Sequence, residues 1–116
     1  MEKRDLEDRI TRFAVGVASI LHDLKGDSMI TVVKNQLFRS STSVGANYHE
    51  AQGGLSLADF RCKIHLSLKE LRETWYWLVI LRALTNQNIH IVDALINEAE
   101  QLKKILGSIV ARTRMK

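Results

Sequence analysis

Leu6, Ile10, Phe13, Val17, Ile20 and Leu24 follow one another at intervals of 4, 3, 4, 3 and 4 residues. Those intervals track the 3.6-residue helical turn, whereas a strand brings every second residue to one face. They give a single apolar seam along one helix, and such a seam needs another apolar face to cover it. The 116 residues include no proline, where average usage would give roughly six. Proline breaks helix interiors, so its absence lets long helices run uninterrupted.

The first helix is predicted over about 5–24, with Asp5 as N-cap and Lys25-Gly26 supplying a basic last turn and a glycine stop. The second spans about 28–52, capped by Ser28 and ended by Gly53-Gly54. The third opens on Ser56 with Asp59 three positions on, an acidic variant of the capping box, and Leu55 with Phe60 forms a candidate hydrophobic staple. It runs over about 57–84, with Phe60, Ile64, Leu71, Trp75, Leu78 and Leu81 turned inward, until Thr85-Asn86-Gln87-Asn88 breaks it. The fourth covers about 89–112 and carries Val92, Leu95, Ala99, Leu102, Leu106 and Ile109 on one side. Short connections make neighbouring helices antiparallel. The expected architecture is therefore all-α: one domain over 1–116, an antiparallel up-down-up-down four-helix bundle, roughly 30–40 Å long at 1.5 Å per residue.

The charged first nine residues lead into no secretory apolar segment. No run of about 18 apolar residues occurs, so no membrane association is expected. The single Cys62 excludes an internal disulfide and a multi-cysteine metal site, and fits a reducing cytoplasm. A net charge of +4, from 17 bases against 13 acids, gives a weak preference for anionic partners. The end of the third helix is apolar on several sides (Trp75, Trp77, Leu78, Val79, Ile80, Leu81, Ala83, Leu84). A helix apolar nearly all round is covered on both sides. In a domain this small the second cover is another copy of the chain, so a homo-oligomer is expected, unless the core face is simply over-wide.

The second helix also carries a polar line. Gln36, Arg39, Ser43, Asn47 and Glu50 are spaced 3, 4, 4 and 3 apart and share one stripe. Beside it runs an apolar stripe: Ile30, Val33, Leu37, Val44 and Tyr48. Small residues (Ser40, Ser43, Gly45, Ala46) allow a close approach, and Lys63, Ser67, Glu70 and Thr74 form a matching line on the third helix. Antiparallel register sets Glu50 near Lys63 and Arg39 nearer Glu70 or beyond. Buried charges must pair or neutralise, so the two lines suit each other. The line is open to three readings: a network that fixes helix register, a site for an anion or RNA phosphate using Arg39, and, least supported, catalysis.

Other chemistry finds little footing. His49-Glu50 begins a His-Glu-x-x-His motif, but Gly53 stands where the second histidine belongs. No Glu-x-x-His pair of the di-iron kind is present, and His22, His65 and His90 lack ligand-spaced partners. There is no nucleophile elbow and no glycine-rich phosphate loop. No metal or cofactor is expected. Lys103, Lys104, Arg112, Arg114 and Lys116 gather toward the end of the fourth helix, where cations suit the helix dipole, and Arg9 and Arg12 make a smaller cluster.

The run Gln36-Leu37-Phe38-Arg39-Ser40-Ser41-Thr42-Ser43-Val44-Gly45-Ala46-Asn47, followed by Glu50, resembles the signature of the bacterial four-helix-bundle family of 23S rRNA intervening-sequence proteins. A second block, Asp59-Phe60 with Ser67, Glu70 and Leu71, resembles that family too. The chain departs from the pattern at Tyr48-His49, where a small apolar pair is usual, and at Glu50-Ala51-Gln52, where Glu-Gly is common. The resemblance implies a cytoplasmic bundle assembled into a ring, a homopentamer. It also implies similarity to the accessory variability protein of diversity-generating retroelements, which works with a reverse transcriptase and nucleic acid.

Together these readings give an expectation: a non-enzymatic oligomeric scaffold associating with RNA or DNA through backbone contacts. The candidate residues are Gln36, Arg39, Ser43, Asn47, Glu50, Lys63, Ser67 and Glu70 on the seam. Arg9, Arg12, Lys103, Lys104 and Arg112 are candidate peripheral phosphate contacts. The alternative is a protein-interaction module without nucleic acid, docking near Trp75, Tyr76 or Trp77.

Overall fold

The computed structural model describes residues 3–114. Its helices are α1 (Lys3–Asp23), α2 (Ser28–Gln52), α3 (Leu57–Leu84) and α4 (Ile89–Arg112). Each packs on its sequence neighbours, and α1 closes the ring against α4, so α1 and α3 lie diagonally opposed, as do α2 and α4. The long axis is 47 Å, beyond the expected length because α3 alone has 28 residues and the connections project past the helix ends.

Local chemistry explains the helix boundaries and corrects several expected caps. Asp5 is not an N-cap, because α1 has already begun at Lys3 and Asp5 lies in its first turn. The cap of α2 is Asp27 rather than Ser28: its carboxylate accepts from the Met29 and Ile30 amides at 3.0 and 3.2 Å. Gly26 is not a left-handed stop, since no described glycine has positive φ. It is small for another reason. A Cβ there would stand 2.5 Å from Ile30 Cγ1 and 2.6 Å from Ile30 Cβ, at the first core residue of α2. Ser56 caps α3 as expected, its Oγ accepting from the Asp59 amide at 3.0 Å. Leu55 makes no staple; it is 100% exposed.

The apolar seam of α1 is buried throughout, as are Ile30, Val33, Leu37, Val44 and Tyr48 of α2. Ile64, Leu71, Leu78 and Leu81 of α3 and Val92, Leu95, Ala99, Leu102 and Leu106 of α4 complete the core. Ile109 packs at its edge, with Val110 the more deeply buried. Trp75 and Trp77 are half-buried at the margin. The closest helix pair is α2 with α3, the closure of α1 on α4 the loosest. Small side chains explain the difference, because Ser40, Ser67 and Thr74 are fully buried between α2 and α3.

At one end of the bundle the α1–α2 and α3–α4 connections are clasped together. Gln87 Nε2 donates to the Lys25 carbonyl at 2.6 Å, and the Lys25 amide donates to Gln87 Oε1 at 3.1 Å. Lys34 Nζ meets the Leu24 carbonyl at 3.0 Å, serving a helix end that would otherwise lack a donor. Gln87→Ala removes both bonds of the clasp. We expect it to cost about 1–2 kcal/mol in urea unfolding, since an intramolecular hydrogen bond contributes about 1 kcal/mol net. Faster hydrogen exchange at the Lys25 amide should accompany the loss.

Candidate functional site

The two polar lines meet. At their buried centre the Ser67 hydroxyl donates to the Val44 carbonyl at 2.7 Å. Thr74 Oγ1 lies 2.9 Å from Ser40 Oγ and 2.8 Å from the Glu70 carbonyl oxygen. A hydroxyl carries one proton and a carbonyl only accepts. Thr74 therefore donates to Glu70 and accepts from Ser40. The buried part of the seam is thus made of hydroxyls, each small enough for close helix contact and each satisfied. Ser43 donates to the Arg39 carbonyl at 2.7 Å and Asn47 to the Ser43 carbonyl at 2.9 Å, both within α2.

The charges sit at the rim of the seam and not inside it. Glu50 pairs with Lys63 at 3.2 Å, and Arg39 with Glu70 at 3.1 Å, the partners that antiparallel register predicts. The Arg39 and Glu50 side chains are 46% and 57% exposed, so the expectation of buried charge is corrected. Their positions flank the close α2–α3 contact, where solvent still reaches. Arg39 is further held by Gln36 Oε1 at 3.1 Å and by a second carboxylate, Glu73. Glu73 lies off the predicted line on α3 but within reach of a guanidinium, and it also accepts from Trp77 Nε1 at 3.0 Å.

The Trp77 hydrogen bond, followed by the contact with Arg39, holds the Glu73 carboxyl below the usual carboxylate range despite some burial. A lowered folded pKa stabilises the protein above the ordinary Glu value of about 4.3. That contribution is lost as pH falls through the lowered folded value. We expect NMR titration to place Glu73 below an ordinary Glu, and Trp77→Phe to return it upward.

The peripheral cations divide into held and unheld. Arg9 forms a bidentate pair with Glu98 across the α1–α4 closure, both bonds at 2.8 Å. Its guanidinium is committed to the fold. Arg12 is exposed, and Arg112 reaches Ser108 Oγ at 3.4 Å. Lys103 Nζ lies over the Trp75 ring, 4.4 Å from its centroid. Beside it Lys104, Arg72, Leu68 and Glu100 line a groove between α3 and α4. Among the described residues Arg72, Lys103 and Lys104 make no ion pair. Arg72 is the functional candidate that sequence reading missed. Its signal was present in the 4-3-4 spacing of Arg61, His65, Leu68 and Arg72 along the flank of α3.

On the opposite side, α1 and α2 leave an apolar groove lined by Thr11, Ala14, Val15, Ala18, Phe38, Thr42, Gly45 and Ala46. Val15 and Phe38 are more than half exposed. The apolar end of α3, expected to need a second copy, is covered in part by its own chain. Lys103 lies over Trp75, Glu73 bonds Trp77, and Tyr76 meets Trp77 edge-on at 5.5 Å. Among the described residues no group of three or more His, Cys, Asp or Glu side chains could hold a metal ion, and no helix is long and apolar enough to cross a membrane.

Fold and seam define an antiparallel four-helix bundle whose central helix pair is zipped by hydroxyls and rimmed by ion pairs. The family described as 23S rRNA-intervening sequence protein matches residues 2–108, and the chain belongs to that family. Among solved structures, the chain resembles a protein of unknown function from the S23 ribosomal protein family of Bacteroides thetaiotaomicron, with a TM-score of 0.85 and 32% identity. The match covers 96% of this chain and 99% of that one. A comparison with curated proteins finds no match.

Proposed function

We propose that this protein is a cytoplasmic, oligomeric, non-enzymatic scaffold that associates with RNA through backbone contacts on the α3/α4 flank. The observation that carries the reading is the convergence of Arg72, Lys103 and Lys104 on one groove, with Glu100 its only acidic lining residue and no ion pair holding any of the three among the described residues. Cations that the fold leaves unpaired can release counterions from phosphates; paired ones have already found their anions. The seam cations Arg39 and Lys63 are of the second kind. The family's name refers to intervening sequences of rRNA, which agrees with an RNA partner. Filter binding to a structured RNA across a salt series tests the proposal. Binding at about 50 mM salt with a steep negative salt slope is expected, and absence of binding or a flat slope refutes it.

A second reading, a protein-interaction module, is favoured by the α1/α2 groove, which has no ionisable lining residue. Its natural occupant is a second copy of the chain: Phe38 is a large apolar side chain beside small residues that leave room for one. On this reading, light scattering gives a multiple of 13.2 kDa, and Phe38→Glu shifts the species toward monomer. A wild-type monomer contradicts it.

A further inference from the structure

We infer that the α3/α4 groove takes a single-stranded polynucleotide in preference to a duplex, with a base stacking on Trp75 after Lys103 moves from the ring to a phosphate. The inference rests on the RNA reading above and adds the form of the ligand. Lys103 Nζ covers the Trp75 ring at 4.4 Å, so the ammonium occupies the place a base would take. A cation over a partly exposed ring is worth roughly a two- to fivefold preference, whereas base–aromatic stacking is worth roughly five- to 150-fold. Exchanging one for the other while Lys103 gains a phosphate is favourable. The Trp75 indole N–H is buried without an acceptor. A purely structural aromatic at this position would avoid that penalty as phenylalanine. Gly107, one turn on from Lys103 on the same flank, points the same way. A Cβ there would meet nothing within 4 Å, so packing gives no reason for glycine in a helix interior, where it is among the least favourable residues. It leaves the α4 surface next to the groove open for an approaching backbone. A duplex keeps its bases stacked and offers Trp75 no free face.

The chain has two tryptophans, so Trp77→Phe leaves Trp75 as the sole fluorophore. In that background the probes are a single-stranded oligoadenylate and a blunt RNA duplex of matched phosphate number. We expect the oligoadenylate to quench Trp75 and to bind at least fivefold tighter than the duplex. Trp75→Leu should lower single-strand affinity by roughly five- to 150-fold with duplex affinity unchanged, and Trp75→Phe should retain most of it. Gly107→Leu, which meets open space, should weaken binding without lowering the melting temperature. If Trp75→Leu fails to fold, quenching and the phenylalanine variant decide the matter. Equal binding of both probes with Trp75 unquenched overturns this inference and leaves the RNA reading intact. No binding of either probe overturns both.

Discussion

Replacing Arg72, Lys103 and Lys104 together by alanine is expected to reduce RNA affinity by roughly 500-fold at about 50 mM salt. The number follows from counterion release. Each neutralised phosphate contributes about 0.7 to the salt slope on a single strand and about 0.9 on a duplex. Three lost contacts therefore remove about two to three units of slope. With the affinity at about 1 M salt unchanged, the deficit grows as salt falls, reaching roughly 500-fold at about 50 mM on the lower slope. Between about 50 and 200 mM the wild type should lose roughly 20 to 40 times more affinity than the variant. The fold should survive, because Arg72 and Lys104 are exposed and Lys103 contributes only a half-exposed cation–π contact. Filter binding of both proteins across a salt series, with circular dichroism to confirm folding, measures the difference.

Ser67→Leu is expected to destabilise the bundle by about 1–3 kcal/mol, and Ser67→Ala by only about 1 kcal/mol. Ser67 is fully buried between α2 and α3, the most closely packed helix pair of the bundle. Leucine is the more hydrophobic replacement, and on a half-open surface it would be tolerated. In a close-packed helix pair its extra methylenes must force the backbones apart. Alanine keeps the approach and loses only the hydroxyl bond to the Val44 carbonyl. That carbonyl lies within α2 and retains its helical acceptor role, so no orphaned group is left. Chemical denaturation of the two variants reads the order directly. Leucine less stable than alanine marks the seam as packed architecture, and the reverse order marks it as accommodating surface.

Much of this organisation was legible in the chain. The apolar intervals in α1 and the cap at Ser56 predicted buried seam and helix start correctly, because both depend on local spacing alone. Antiparallel register was enough to match Arg39 with Glu70 and Glu50 with Lys63. Where reading failed, the cause was a choice between neighbours or a contact set by three connections at once. Asp27 and Ser28 are both good caps, and a carboxylate reaching two amides at 3.0 and 3.2 Å took the position. Arg9 and Glu98 lie 89 residues apart, and only closure of α1 on α4 brings them together. Glu73 fell off the α3 stripe because stripes are drawn through Cβ directions, while a guanidinium spans more than one of them. The same excess reach put the seam charges at the solvent edge, leaving the interior to Ser40, Ser67 and Thr74.

The central claim is a division of labour: the α2–α3 seam is architecture, and the proposed RNA contacts lie on the α3/α4 flank. The most direct test is the salt slope of RNA binding, measured side by side for wild type, the Arg72/Lys103/Lys104 alanine variant and an Arg39→Ala/Lys63→Ala seam variant. The slope should fall by about two to three units in the flank variant and by less than about one in the seam variant. A slope that collapses in the seam variant and persists in the flank variant would contradict the account.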